Sequence, residues 1–217
     1  AIYLSYTWNS LFSGIDTTFS LTALNIYGQS VNNEFTGCSF LNYSNTTATV
    51  LIERDAGEDA HPEGNNFVNC MVYGGTFGFQ LIYADYNVIG AGCNIDGWIT
   101  VGVYVVNCLN TAVGVGVWVG SATSTQICIK LQDSHRSGII GANLYNPLGT
   151  GVYLNGNSTH NRVNSNDIVT GTGIEEETTG DDYNIFDGNI IDGPGGGSNI
   201  VVRGVNSVRG SNIPMTG

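Results

Sequence analysis

The sequence predicts an all-β fold: one coil of parallel strands, a solenoid of about nine rungs. Three observations predict it. Apolar residues alternate at period two, a short motif recurs every 22–29 residues, and 31 glycines are spread through every segment. Strict alternation marks strands that bury one face. A recurrence of that length marks one turn of a repeat architecture, in which each unit buries its apolar face on its neighbours. Glycine scattered among β-branched residues argues against helices.

The opening strand of each rung can be read in order. IYLS starts at Ile2, LNIY at Leu24, VLIE at Val50, FQLI at Phe79 and VGVY at Val101. ICIK follows at Ile127, VYLN at Val152, IEEE at Ile174 and IVVR at Ile200. The unequal spacing is assigned to turns, where extra residues are tolerated. Behind these strands runs a second motif, seen in VNNEFTGCSF (31–40), GNNFVNCMV (64–72), SGIIGANLY (137–145) and GVNSVRGSNI (204–213). Its pattern is Asn or Gly, any residue, apolar, any, small, then Cys, Asn or Ser, any, apolar. The pair 151–168 and 173–190 shows the same unit twice in succession.

Parallel strands stack about 4.8 Å apart, so equivalent inward side chains form columns. One expected column is Val50, Phe79, Val101, Ile127, Val152, Ile174 and Ile200; the next is Ile52, Leu81, Val103, Ile129, Leu154 and Val202. Cys38, Cys70, Cys93, Asn143, Asn166, Asn189 and Ser211 are expected to share a third phase. Stacked asparagine amides bond from rung to rung, which satisfies polar groups buried at a bend. A cysteine fits that slot as a small buried residue. Parallel side chains on neighbouring rungs are poorly aimed for a disulfide, and without a CxxC spacing the five cysteines make no zinc motif. Glu176 is the misfit, an acid in the aliphatic phase. A buried carboxylate is costly unless paired, so the strand is expected to end at Ile174 and release Glu176 to solvent.

This rung pattern, with its inward asparagine ladder and aliphatic stacks, resembles the right-handed parallel β-helix superfamily, the pectin-lyase-like fold. The resemblance covers essentially all 217 residues. It implies a right-handed coil, in line with the general preference of parallel crossovers. It also implies an extended polysaccharide lying along the outer face of one sheet. The superfamily spans pectate lyases, polygalacturonases, alginate epimerases, polysaccharide-cutting phage tailspikes and non-catalytic surface proteins, so it selects no reaction.

Composition narrows the partners. Six basic against eighteen acidic residues give a net charge of −12, which repels phosphate backbones and anionic membranes. Nucleic acid is therefore not an expected partner. No apolar run reaches eighteen residues, so no transmembrane helix is expected. Abundant Asn, Thr, Ser and Gly with a single lysine, Lys130, suits an extracellular, cell-surface or virion protein. Three glycosylation sequons fall at Asn42, Asn45 and Asn157, a number that chance supplies in so Asn- and Thr-rich a chain. Residues 1–217 are read as one domain. The absence of an initiator Met and the bare strand edges at both ends suggest part of a longer protein, or a homo-oligomer or filament whose neighbours cover the edges.

Candidate chemistry concentrates in GIEEETTGDDYNIFDGN, 173–189. Glu175 and Glu177 both point outward, roughly 7 Å apart, a separation suited to an inverting glycosidase. No acid on the adjoining rungs reinforces them, and Arg203 falls beside Glu177 as a cross-rung ion partner. Asp181 and Asp182 resemble the paired aspartates of polygalacturonases. The companion motifs of that family and the calcium and arginine set of pectate lyases are missing, so both acids are assigned to turn backbone groups. A second acidic stretch, ERDAGEDAHPEG at 53–64, could hold calcium but matches no EF-hand spacing; it reads as a solvated loop, and no cofactor is expected. Asp133-Ser134-His135-Arg136 reads as a polar turn, because triad members converge from separate elements. Tyr27, Tyr104 and Tyr153, with Tyr3 near the same column, offer faces for stacking on sugar rings, and Arg203 joins them as a candidate glycan contact. The expected function is an extracellular or virion-surface structural solenoid that binds glycan. The alternative is a polysaccharide-degrading hydrolase or lyase working through Glu175 and Glu177.

Overall fold

Each rung turns through three short strands, and equivalent strands pair in parallel with the rungs on either side. The computed structural model describes residues 1–19, 21–44, 46–54, 59–121, 126–193 and 200–215. Among them every regular element is a β-strand, and no helix is long and apolar enough to cross a membrane. Residues 55–58 of the acidic stretch and the sequon at Asn45 lie outside the described residues. Among the described ones, no group of three metal-ligating side chains gathers.

The first strand of the rungs runs through Ile2–Ser5, Leu24–Tyr27, Ala48–Glu53, Phe77–Ile82, Val101–Val106 and Ile127–Gln132. It continues through the ends of two long strands, Asn143–Asn155 and Asp167–Glu176, and closes at Ile200–Val201. All nine opening strands read from the sequence are present. The second strands form a nine-stranded sheet from Leu11–Ser13 to Val208–Arg209. The third strands join the first in a 16-stranded sheet, because Asn143–Asn155 and Asp167–Glu176 carry straight through the corner between them.

The observed register corrects the expected columns by two residues in two rungs. Phe79 pairs with Val103, Val103 with Ile129, and Ile129 with Val152. Val101 instead aligns with Phe77 and Ile127. Side-chain period is two, so a two-residue slip keeps the inward face. Alternation alone therefore does not distinguish the two registers. The inward column is Leu24, Val50, Phe79, Val103, Ile129, Val152 and Ile174, each fully buried. The second strands contribute Phe12, Phe35 and Phe67, stacked face to face at 4.9 and 4.7 Å. Offset stacking of this kind adds about 0.5–1.5 kcal/mol per pair beyond area burial.

Polar ladders hold the corners. Before the second strands, Asn33 donates to Asn65 Oδ1 at 2.9 Å and Asn65 to Asn87 Oδ1 at 3.0 Å. Asn161 repeats this with Asn184 at 3.1 Å. Before the third strands the slot holds Cys38, Cys70, Cys93, Ala142, Asn166, Asn189 and Asn212, one residue off the expected Asn143 and Ser211. The Ala142 N–H donates to Asn166 Oδ1, Asn166 to Asn189 Oδ1, and Asn189 to Asn212 Oδ1. Asn143 begins the following strand and is exposed. All five cysteines are free and buried; Cys38, Cys70 and Cys93 share this slot, while Cys128 lies within Ile127–Gln132 and Cys108 just after Val101–Val106.

Candidate glycan-binding face

Outward residues of the first strands align across rungs as Tyr104, Lys130, Tyr153 and Glu175. Lys130 Nζ lies 5.1 Å from the Tyr104 ring centroid and 5.7 Å from that of Tyr153. A cation held between two aromatic faces gains on the order of 0.5–1 kcal/mol per face at a partly exposed site. Phe77 packs on Tyr104 with centroids 5.3 Å apart. The Tyr104 hydroxyl donates to Gln132 Oε1. The result is an aromatic–cation–aromatic row across three consecutive rungs.

Burial raises the Tyr104 phenol above its ordinary pKa, with the Asp133 charge adding to it. Tyr153 is pushed up to about 12. Burial is the largest cause, followed by a hydrogen bond to Glu177 and the charges of Glu177, Glu175 and Asp181. Both phenols stay neutral near pH 7; the Tyr104 proton is already given to Gln132, which leaves its oxygen as an acceptor.

The two outward acids divide their partners. Arg203 Nη1 lies 3.2 Å from Glu175 Oε1, and the same nitrogen donates to the Glu176 carbonyl. The expected Arg203–Glu177 pair is thus replaced by Arg203–Glu175, because the guanidinium bends back toward the preceding pleat to reach that carbonyl. An exposed pair of this kind contributes under about 1 kcal/mol. Glu177 is exposed and neighbours Tyr153.

Glu176 corrects the expectation of a solvent-exposed side chain. The strand runs on to it, it pairs with Leu154, and it is fully buried. Oε1 accepts from Asn184 Nδ2 at 3.0 Å and Ser207 Oγ at 2.6 Å. Oε2 accepts from the backbone N–H groups of Arg203 and Gly204 at 2.7 and 2.8 Å. Four donors make burial of a carboxylate tolerable.

Asp181 is buried too, its Oδ1 accepting from Ser158 N at 3.0 Å and its Oδ2 from Thr178 N at 2.9 Å. It extends a corner ladder in which Cys108 N donates to Ser134 Oγ and Ser134 N to Ser158 Oγ. Burial raises its carboxyl pKa against the opposing hydrogen bonds. Asp182 accepts from Tyr183 N at 2.9 Å and from Asn206 N and Nδ2 at 2.6 and 2.7 Å. Both aspartates thus hold turn backbone.

The structure therefore gathers Tyr104, Tyr153, Glu175, Glu177 and Arg203 on one face. It leaves Tyr27 in the adjoining outward column, paired with Glu53 and three rungs from Tyr104, on the order of 14 Å away. Lys130 and Gln132 are the contributors that reading the acids and tyrosines passed over. The signal for Lys130 was present: the chain's one lysine stands at an outward position between two tyrosine-bearing rungs.

No family model matches the chain, and no curated protein matches it. Among solved structures, the chain is similar to the Azotobacter vinelandii mannuronan C-5 epimerase AlgE6 A-module, at TM-score 0.67 and 14% identity. The match covers 98% of this chain and 54% of that one, so the chain spans about half the length of that protein. A catalytic domain of a GH87 alpha-1,3-glucanase aligns with TM-score 0.38 and 9% identity, over 88% of this chain and 41% of that one. The nine stacked rungs and the first of these likenesses agree: the fold is a right-handed parallel β-helix.

Proposed function

We propose that the outer face of the first strands binds polysaccharide, and that the protein is an extracellular or virion-surface β-helix with an adhesive or glycan-holding role. The row Tyr104–Lys130–Tyr153 carries this reading. Two aromatic faces in register suit pyranose stacking, and Lys130 and Gln132 supply hydrogen-bonding groups for hydroxyls. The epimerase that the chain resembles is named for a polysaccharide, mannuronan, in keeping with a glycan ligand. The low lysine content and wholly buried thiols support an extracellular setting, since nothing reactive is offered to an oxidising medium.

Affinity electrophoresis through gels containing a panel of polysaccharides tests the reading. Retardation of the wild type, reduced in Lys130→Ala and Tyr153→Ala, is the expected result. Equal mobility of the wild type and both variants in every gel overturns it. The same samples report breakdown of the glycan; turnover that disappears in Glu177→Gln would replace binding with catalysis by Glu175 and Glu177.

A further inference from the structure

The third strands of the rungs present a different outer face, and it carries an aromatic strip of its own. Trp118, in strand Trp118–Gly120, and Tyr145 of the next rung are stacked with centroids 6.4 Å apart and planes 17° from parallel. Tyr43 and Tyr73 form a second pair three rungs earlier, 6.1 Å apart. Tyr43 is 61% exposed, Tyr73 39% and Tyr145 38%.

Two glycines explain why these rings lie down instead of standing off the sheet. A Cβ on Gly120 would fall 2.2–2.6 Å from three atoms of the Trp118 six-membered ring. A Cβ on Gly97, which has φ +68°, would fall 2.7–3.2 Å from the Tyr73 ring. Each ring occupies the space that a side chain would fill at that glycine. Gly120 pairs with Tyr145 in the sheet register, so the displaced indole comes into line with the Tyr145 ring.

Beside the Trp118–Tyr145 stack lies a depression of about 220 Å³, lined by Trp118, Asn143, Leu144, Tyr145, Asp167 and Val169. Asn143 and Asp167 are paired neighbours on its rim, giving one amide and one carboxylate. No lysine or arginine lines it.

We infer that this face is a second carbohydrate subsite, distinct from the outer face of the first strands, and that its ligand is a neutral oligosaccharide. The exposed rings of Tyr43, Tyr73 and Tyr145, with the Trp118 indole beside them, offer apolar surface for pyranoses, while Asn143 and Asp167 are placed to hydrogen-bond hydroxyls. A carboxylate with no compensating cation repels uronates and sulfated sugars. Charge thus distinguishes this face from the first, which carries Lys130.

Calorimetric titration with cellohexaose, maltohexaose and a mannuronate hexamer, followed in parallel by tryptophan fluorescence, tests it. At least one neutral hexamer should bind the wild type and perturb the emission. Trp118→Ala should weaken that binding at least about tenfold, and Gly120→Val should do the same while retaining the indole. Tyr86→Ala, at an exposed tyrosine in the turn before Val88–Ile89, should leave it unchanged; circular dichroism and melting confirm that each variant is folded. The inference falls if no neutral hexamer binds, if only the mannuronate binds, or if Trp118→Ala binds like the wild type. Loss of binding in Tyr153→Ala alone would favour the first face and sink this one.

Discussion

Glu176 accepts the backbone N–H of Gly204 at 2.8 Å, joining the eighth rung to the ninth from a slot that Leu154 fills one rung earlier. The first strand of the last rung ends at Val201, so the N–H groups of Arg203 and Gly204 have no ladder partner on that side. The carboxylate takes them both, together with Asn184 and Ser207. Removing it strands four donors. Glu176→Ala should lower unfolding stability by about 3 kcal/mol in urea denaturation. Glu176→Gln, with one acceptor oxygen left, should recover part of it. Amide exchange at Arg203 and Gly204 should speed up before the rest of the chain opens; unchanged protection there would show that the carboxylate does not hold the last rung.

Asn184 sits at the centre of the same region. It donates to Ser158 O and Glu176, and accepts from Asn161 N and Nδ2 at 2.9 and 3.1 Å. Asn184→Ala should cost about 2–3 kcal/mol, because buried partners lose bonds that water cannot replace. An exposed control, Asn157→Ala, should change the midpoint little. Equal midpoints for both variants would contradict a structural role for the ladder.

The phenylalanine column offers a core test. Phe35 is 1% exposed and stacked on both sides. Phe35→Ala should cost about 3–5 kcal/mol through lost burial and an unfilled cavity. Phe12, stacked only on Phe35 and partly buried, should cost less. Chemical denaturation of the two alanine variants ranks them, and a larger loss at Phe12 would reverse the expected order.

Tyr153 should titrate late. Its phenol, raised to about 12 by burial and then by Glu177, should ionise above an ordinary phenol in an ultraviolet titration against Tyr153→Phe. Glu177→Gln should bring it down. The stability linked to it follows in sign: the folded state holds the proton more tightly, so its contribution is present below pH 10 and is lost as pH rises toward 12. A Tyr153 that titrates as an ordinary phenol in both backgrounds would exclude the contact.

All five thiols are buried; burial raises Cys108 to about 12 and pushes the Cys128 thiol up as well. Cys93 is lowered by its hydrogen bond with Cys70, but it is as buried as the others, and an inaccessible thiol is a poor nucleophile. Ellman's reagent should therefore find essentially no reactive thiol in the native protein and five per chain in denaturant. Rapid labelling of a native cysteine would require an open rung.

The sequence by itself determined the strands, the solenoid and the identity of the inward faces, because burial on a pleated strand writes itself as alternation. It also marked the corner slots, because Asn and Cys recur there at rung spacing. It did not determine register: Val101 and Val103 share a face, and only pairing with Phe77 and Phe79 separates them. Nor did it reveal what surrounds Glu176. The four donors come from residues 8 to 31 positions away, and only stacking of the eighth and ninth rungs turns an apparent misfit into a satisfied carboxylate. The row of Tyr104, Lys130 and Tyr153 follows the same rule, since residues about 25 apart become neighbours when the coil closes. Alternation is local and survives in the sequence. Registration and polar satisfaction are relations between rungs, and the tertiary structure decides them.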